Sequence, residues 1–77
     1  MDNAMRVQRA IKRVSQRDVA WAVGVREQSI HAIENNKAMP SLGLGMKIAL
    51  YFNVPVEELF FLDDEEKFIK QEPAPAR

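Results

Sequence analysis

The strongest constraint on this chain is a pair of short helices joined by a glycine. Ser15, followed three residues later by Asp18, is typical of a helix N-cap. Gly24 readily adopts the left-handed conformation that ends a helix. These signals predict one helix over Gln16–Val23, a tight turn and a second helix over Glu27–Glu34. Helices this short are marginal on their own, so the rest of the chain must pack around the pair.

The residues before the pair predict another helix, over 4–13. Its apolar positions are Met5, Val7, Ala10, Ile11 and, past the end, Val14, and the steps of three and four between 7, 10, 11 and 14 predict one apolar face. Basic side chains occupy the other faces and form either a solvated surface or contacts with a phosphate. The arginines considered for such a phosphate contact are Arg6, Arg9 and Arg13.

The residues after the pair predict two further helices. Ser41 is expected to cap a helix over Leu42–Phe52, and Asn53 is expected to end it. Pro55 suits the start of a short fifth helix over 56–60.

Length and composition limit the possible classes. A chain of 77 residues forms one domain, expected over 4–62, before an acidic and then Pro/Ala-rich tail over 63–77 that is expected to be partly disordered. The chain has no cysteine, which excludes disulfides, thiolate zinc ligands and cysteine nucleophiles. No apolar run approaches the ~20 residues that span a bilayer, and no signal peptide is predicted. We therefore expect a cytoplasmic protein with no membrane partner.

Charge is distributed unevenly along the chain, although the net charge is zero. Residues 1–40 carry seven basic and four acidic side chains, whereas residues 41–77 carry four basic and seven acidic ones. This asymmetry favours one face that binds anions and another turned elsewhere, with chance clustering as the alternative.

Short runs of residues along the chain occur together at the spacing of a known family. They are Ser15-Gln16, Val19-Ala20, Gly24-Val25, Ser29-Ile30, Ile33-Glu34-Asn35, Lys37, Pro40-Ser41-Leu42, Lys47-Ile48-Ala49, Asn53-Val54 and Glu57-Glu58-Leu59-Phe60. Over about residues 5–62 the chain resembles the XRE-type helix-turn-helix family, which has the Cro and phage-repressor fold. It is most similar to the short stand-alone bacterial and archaeal regulators of that family. The resemblance implies an all-α, five-helix lambda-repressor-like domain.

The resemblance also implies a function. Members bind double-stranded DNA as homodimers, with the third helix in the major groove, and regulate transcription; a repressor associated with the prokaryotic nucleoid is expected here. The residues expected to read bases are Glu27, Gln28, Ser29 and Ala32. Those expected to contact the DNA backbone are Gln16, Arg17, Arg26, Asn35, Asn36 and Lys37.

The chain departs from the family pattern at several positions. Arg26 stands where a capping Ser or Thr is usual, and Glu27 brings a negative charge toward DNA. Asn36 replaces the usual glycine. Trp21 and Ala22 occupy positions that are usually charged, and Trp21 is expected either to contact a partner or to fold back onto the first helix.

The fourth predicted helix carries apolar residues on nearly every face. A small bundle cannot bury all of them, and an exposed apolar patch often marks an interface. The residues expected at a homodimer interface are Leu50, Tyr51, Phe60, Phe61 and Leu62. The alternative is that Phe61 and Leu62 fold back as local core.

Two other classes of function are possible. The same fold can serve as a protein-interaction module, antitoxin-like or coactivator-bridging, which the near-neutral charge, Glu27 and Trp21 favour mildly. A hydrolase would need a nucleophile–base pair or a metal cluster, and the chain has one histidine, His31. The acidic run 63–66 lacks the spacing of a calcium loop. No catalytic residue, metal, cofactor or small-molecule ligand is therefore predicted.

Overall fold

The computed structural model describes residues 1–75, and within them the chain forms five helices and one two-stranded ribbon. The helices are α1 Met5–Lys12, α2 Gln16–Val23, α3 Glu27–Glu34, α4 Leu42–Phe52 and α5 Val56–Leu59. The strands are β1 Asp2–Asn3 and β2 Phe60–Phe61. The prediction of a five-helix lambda-repressor-like fold is confirmed. The predicted tail extends to 77, and its last two residues lie outside the described part.

The helix ends explain why α2, α3 and α4 have the limits that the sequence predicts. Ser15 and Asp18 form a reciprocal capping box: Ser15 Oγ accepts from Asp18 N at 3.0 Å, and the Asp18 carboxylate accepts from Ser15 N at 2.9 Å. Gly24 ends α2 in the left-handed region, at φ 76° and ψ 35°. Ser41 caps α4 by accepting from Leu44 N, and Asn53 ends α4 at φ 56°.

The core forms mainly where α2, α3 and α4 meet. Val19, Ala20 and Val23 of α2 are buried. So are Ile30 and Ile33 of α3. The other buried apolar residues are Met5, Ile48, Ala49, Phe52, Leu59 and Phe60. This core fixes α2 and α3 against each other and leaves their outer faces exposed.

Helix α1 turns a different face inward from the one predicted. Val7 and Ile11 are 58% and 70% exposed, and Ala10 is exposed as well. Met5 is fully buried, and Arg9 is half-buried because its guanidinium bonds to the buried Glu34. The predicted apolar face is therefore wrong at Val7, Ala10 and Ile11, because the helix turns Arg9 toward Glu34 instead, whereas Val14 is half-buried and packs against the core.

The two short strands join the N-terminal residues to the end of α5. Asp2 pairs with Phe61 and Asn3 with Phe60 in an antiparallel ribbon. Ala4 N also donates to Leu59 O at 2.9 Å. Strands of two residues are too short to give a period-two pattern, so they are not predicted from the sequence.

The side chain of Phe60 is buried rather than exposed. It retains 9% of its accessible surface, and a Cβ placed on Gly45 would lie 3.7 Å from its ring. Phe60 has extended backbone angles and ends α5 one residue earlier than predicted. The expectation that Phe60 lies in a dimer interface is corrected here, because its ring belongs to the core of its own chain.

The acidic run forms a turn. Asp63 N donates to the Glu66 carboxylate at 2.9 Å, and Glu66 N donates back to Asp63 Oδ1 at 2.8 Å. Lys67 N closes the turn on Asp63 O. Among residues 1–75, no helix is long and apolar enough to cross a membrane.

Candidate nucleic-acid interface

Helix α3 presents its first turn to solvent. Glu27, Gln28 and Ser29 are exposed, while Ile30 anchors the helix in the core. Ala32, one turn further on, is half-buried. The four residues predicted to read bases therefore all have accessible surface on one helix, and the first three are exposed.

The residues predicted to contact the DNA backbone flank this helix. Gln16 begins α2 and is half-buried, and Arg17 is exposed beside it. Arg26 occupies the N-cap position of α3 without a side-chain cap bond, which leaves its guanidinium exposed. Asn35 and Lys37 follow the end of α3, half-buried and exposed respectively.

Asn36 closes the C-terminal end of α3. It adopts φ 59°, the left-handed conformation for which the family's usual glycine is suited. Its Oδ1 accepts from Asn3 Nδ2 at 3.0 Å. The same Asn3 amide lies 3.2 Å from Ile33 O and 3.3 Å from Glu34 O. Asn3 thus donates to the last turn of α3, where the Ile33 carbonyl also accepts from Asn36 N; no local pattern in the sequence indicates this role.

A buried carboxylate lies behind the exposed residues. Glu34 is 7% exposed, and its side chain accepts from Arg9 Nε at 2.8 Å and from Arg9 Nη2 at 3.0 Å. It also accepts from Nε2 of Gln16. Burial by itself would raise the pKa of Glu34. The bonds from Arg9 and Gln16, with the charge of Arg6, outweigh burial and lower this pKa below its ordinary value.

Arg9 is consequently committed inside the protein. It also donates to Val14 O at 3.3 Å, so its guanidinium holds the end of α1 as well as Glu34. The sequence interpretation that placed Arg9 near a phosphate is not supported by this geometry. Arg9 and Glu34 are 25 positions apart, and no local pattern in the sequence links them.

Gln16 and His31 meet at the surface above this carboxylate. His31 Nδ1 lies 3.2 Å from Gln16 Oε1. Together with Glu27 and Gln28 they line an open cleft between the start of α2 and α3. Asn35 adjoins His31, because its Nδ2 donates to His31 O at 2.8 Å. The cleft therefore combines three predicted DNA contacts with a histidine that the sequence left unassigned.

The exposed side chain of Trp21 lies on the outer face of α2. It is 88% exposed, so the alternative in which it folds back onto α1 is wrong.

Lys12 covers the ring of Tyr51. Lys12 Nζ lies 4.5 Å from the centroid of that ring and 3.2 Å from the Tyr51 carbonyl oxygen.

Apolar side chains remain exposed along α4 and after α5. Leu42, Met46 and Leu50 recur every four residues and are 76%, 50% and 78% exposed. We call them the α4 stripe. Phe61 and Leu62 are 40% and 46% exposed. Both side chains are thus more exposed than residues of a local core, which was the alternative predicted for them.

Comparison with known proteins gives a consistent set of matches. The sequence model of the family described as Helix-turn-helix matches residues 6–59, which include most of α1 and all of α2 to α5. The chain is 42% identical over 66 residues to an uncharacterized HTH-type transcriptional regulator of Methanocaldococcus jannaschii, covering 86% of this chain and 100% of that protein. It is 44% identical over 66 residues to one of Archaeoglobus fulgidus, covering 86% and 94%. It is 37% identical over 65 residues to the uncharacterized regulator YgzD of Bacillus subtilis, covering 84% and 98%.

Proposed function

Since the chain belongs to the XRE-type helix-turn-helix family, we propose that it regulates transcription by binding duplex DNA as a homodimer. Helix α3 enters the major groove, and occupancy of an operator represses the adjacent promoter. The observation that carries this proposal is the exposed first turn of α3, held on a rigid core by Ile30 and Ile33. Helices of this kind insert their N-terminal residues toward base edges.

The exposed residues of α3 have the chemistry to read bases. The Gln28 amide can pair with N6 and N7 of adenine, and the Glu27 carboxylate can accept from N4 of cytosine. The Ala32 methyl group suits contact with a thymine methyl, and Ser29 can bond with several bases. Sequence preference is therefore assigned to these four residues.

The flanking residues have the chemistry to bind phosphates. Arg17, Arg26 and Lys37 are exposed cations around α3. Gln16 and Asn35 offer amide donors at the start of α2 and the end of α3. Phosphate contacts fix the register of a protein on DNA without reading sequence, and we assign that role to these five residues together with Asn36.

A second copy of the chain is proposed to cover the apolar surface beyond α3. The α4 stripe, Phe61 and Leu62 supply exposed apolar area, and Leu50 also borders a groove lined by Val54 and Val56. Tyr51, which is half-buried with Lys12 over its ring, is included in the proposed interface. A two-fold axis through it would place two copies of α3 about one helical turn of DNA apart, ~34 Å.

Selection of bound duplexes from a random pool tests the proposal. We expect enrichment of an inverted repeat with half-sites about one helical turn apart, since two-fold symmetry of the protein is mirrored in its site. Enrichment of a single half-site would contradict the homodimer. No enrichment at low salt would contradict DNA binding.

Exposure of Trp21 favours a second function, a protein-interaction module on the same fold. A tryptophan side chain that is 88% exposed is unusual on a surface that binds no partner. If this second function holds, the selection fails while a Trp21→Ala variant loses a protein partner recovered with the wild type.

A further inference from the structure

We propose that His31 is a positioning residue, which fixes through Nδ1 the orientation of the Gln16 amide at the DNA surface. This inference rests on the proposed DNA binding, in which Gln16 contacts a phosphate. It assigns to His31 a role in that contact without making His31 itself the contact.

The first step is set by Glu34. Its carboxylate is buried, ionised and already bonded by Arg9, so it can only accept hydrogen bonds. The group of Gln16 that faces it must therefore be the Nε2 amide, as the hydrogen bond between them shows. This directs the other end of the amide, Oε1, toward the cleft.

The second step is set by His31. Gln16 Oε1 can only accept, and the atom that lies 3.2 Å from it is His31 Nδ1. This contact assigns the proton to Nδ1, and in the neutral ring Nε2 then carries the lone pair. Asn35 Nδ2 lies 3.4 Å from both ring nitrogens, and as a donor it can bond only to Nε2 in this tautomer. The buried ion pair thus determines which group donates and which accepts in each hydrogen bond from Arg9 through Glu34 and Gln16 to His31.

The third step concerns what remains free on Gln16. One hydrogen of Nε2 bonds to Glu34, and Oε1 is occupied by His31. The second hydrogen of Nε2 is left as a donor on the cleft surface, where a phosphate oxygen can accept it. Because both ends of the amide are held, this donor is already oriented before DNA arrives, and less conformational freedom is lost on binding.

Two substitutions at one position separate the two nitrogens of the ring. The Nδ2 amide of an asparagine occupies roughly the place of Nδ1, and the Nε2 amide of a glutamine roughly that of Nε2. His31→Asn therefore keeps the donor to Gln16, whereas His31→Gln removes it and keeps a polar group at the tip. Binding is measured to a mixed-sequence duplex at low salt, because a phosphate contact does not depend on sequence.

We expect His31→Asn to bind within about twofold of the wild type, and His31→Gln to bind about three- to tenfold more weakly, the loss of one hydrogen bond. In the Gln16→Ala background, His31→Gln should add no further loss, because the group it positions is gone. Equal affinity for both His31 variants, or a loss confined to His31→Asn, would overturn the proposal. So would losses from Gln16→Ala and His31→Gln that multiply in the double variant.

A measurement on the free protein tests the hydrogen-bond polarity independently of DNA. Long-range ¹⁵N–¹H correlation of the imidazole should show the Nδ1–H tautomer in the wild type, and Gln16→Ala should return the ring toward the tautomer mixture of an exposed histidine. An Nε2–H tautomer in the wild type, or no change in Gln16→Ala, would contradict the inference. Failure of the wild type to bind duplex DNA would instead contradict the proposed function, whatever the tautomer.

Discussion

Gln16, the first residue of α2, donates from Nε2 to the carboxylate of Glu34, the last residue of α3, across 18 positions of sequence. Arg9 of α1 bonds to the same carboxylate. One buried acid therefore ties together the three helices that the proposed interface depends on.

Removing Arg9 should destabilise the protein strongly. Arg9→Ala leaves the Glu34 carboxylate buried without its charge partner, which typically costs 3–5 kcal/mol in a buried pair. The Arg9 side chain is 20% exposed, so we expect a loss at the lower end of this range. The free energy of unfolding measured with urea should fall by about 3 kcal/mol. Arg6→Ala is the control, since Arg6 donates to Asn35 Oδ1 at the surface and acts on Glu34 only through its charge; it should lower the unfolding free energy much less than Arg9→Ala does.

Glu34 should make stability depend on acid pH. Its pKa is lowered in the folded protein, so the unfolded chain binds its proton first as pH falls. The stabilisation is therefore present above its ordinary pKa of 4.5 and is lost as pH falls through the lowered folded value.

Thermal unfolding of Glu34→Gln beside the wild type measures this contribution. The two curves of Tm against pH should converge as pH falls below 4.5. The pKa values of Asp18 and Glu66 are lowered too, by hydrogen bonds from Ser15 N–H and Asp63 N–H. Both groups are present in both proteins, so the difference isolates Glu34. A constant gap down to about pH 3 would refute the assignment.

The N-cap of α2 should be worth about 1 kcal/mol. Ser15→Ala removes the oxygen that accepts from Asp18 N, and such cap losses cost about 0.5–2 kcal/mol. Ser29→Ala is the matched control, because Ser29 lies exposed in α3 and serves as no cap. Urea unfolding that ranks the two variants in the reverse order would contradict this reading of the helix start.

Gln28 and Lys37 should differ in how they affect DNA binding. Gln28→Ala should cost about 1–3 kcal/mol at the base pair it reads and relax preference there. Lys37→Ala should weaken binding to all duplexes alike and reduce the salt slope by about one. Binding to matched and mismatched duplexes over a range of salt measures both. Equal losses from both variants on every duplex would contradict the separation of base-reading from backbone residues.

Leu50 should be required for dimerisation. Leu50→Glu places a charge on the α4 stripe and should yield monomers in sedimentation equilibrium, with weaker DNA binding. Ile11→Glu is the control, because Ile11 is similarly exposed, at 70% against 78%, but lies on α1. If dimers persist in Leu50→Glu but are lost in Ile11→Glu, the interface lies on the exposed face of α1 instead.

The parts of the fold that the sequence predicts are those with local causes. Ser15, Gly24 and Ser41 act within one or two turns of the helices they cap, so both ends of α2 and the start of α4 lie where these residues predict them. The rotation of α1 depends on Arg9 and Glu34, which only the folded chain brings together. Apolar spacing therefore pointed the wrong face of α1 inward.

The candidate site divides in the same way. The exposure of Glu27, Gln28 and Ser29 follows from helical spacing relative to Ile30, which the sequence displays. Burial of Phe60 depends on its pairing with Asn3, a contact between the two ends of the domain that no local signal indicates. The partnership of Gln16 with His31 likewise exists only after α2 and α3 have packed.

Pairing of Asp2 with Phe61 also has a mechanical consequence. The first and last residues of the folded domain lie on adjacent strands, and the Asn3 amide contacts the end of α3 directly. A force applied between these two ends would separate the two strands before it strained any helix. It would next act on the contacts between Asn3 and α3. A surface tether fused before Asp2 would therefore pull on α3, the helix proposed to read DNA, so immobilised binding assays should attach the protein through its C-terminal tail.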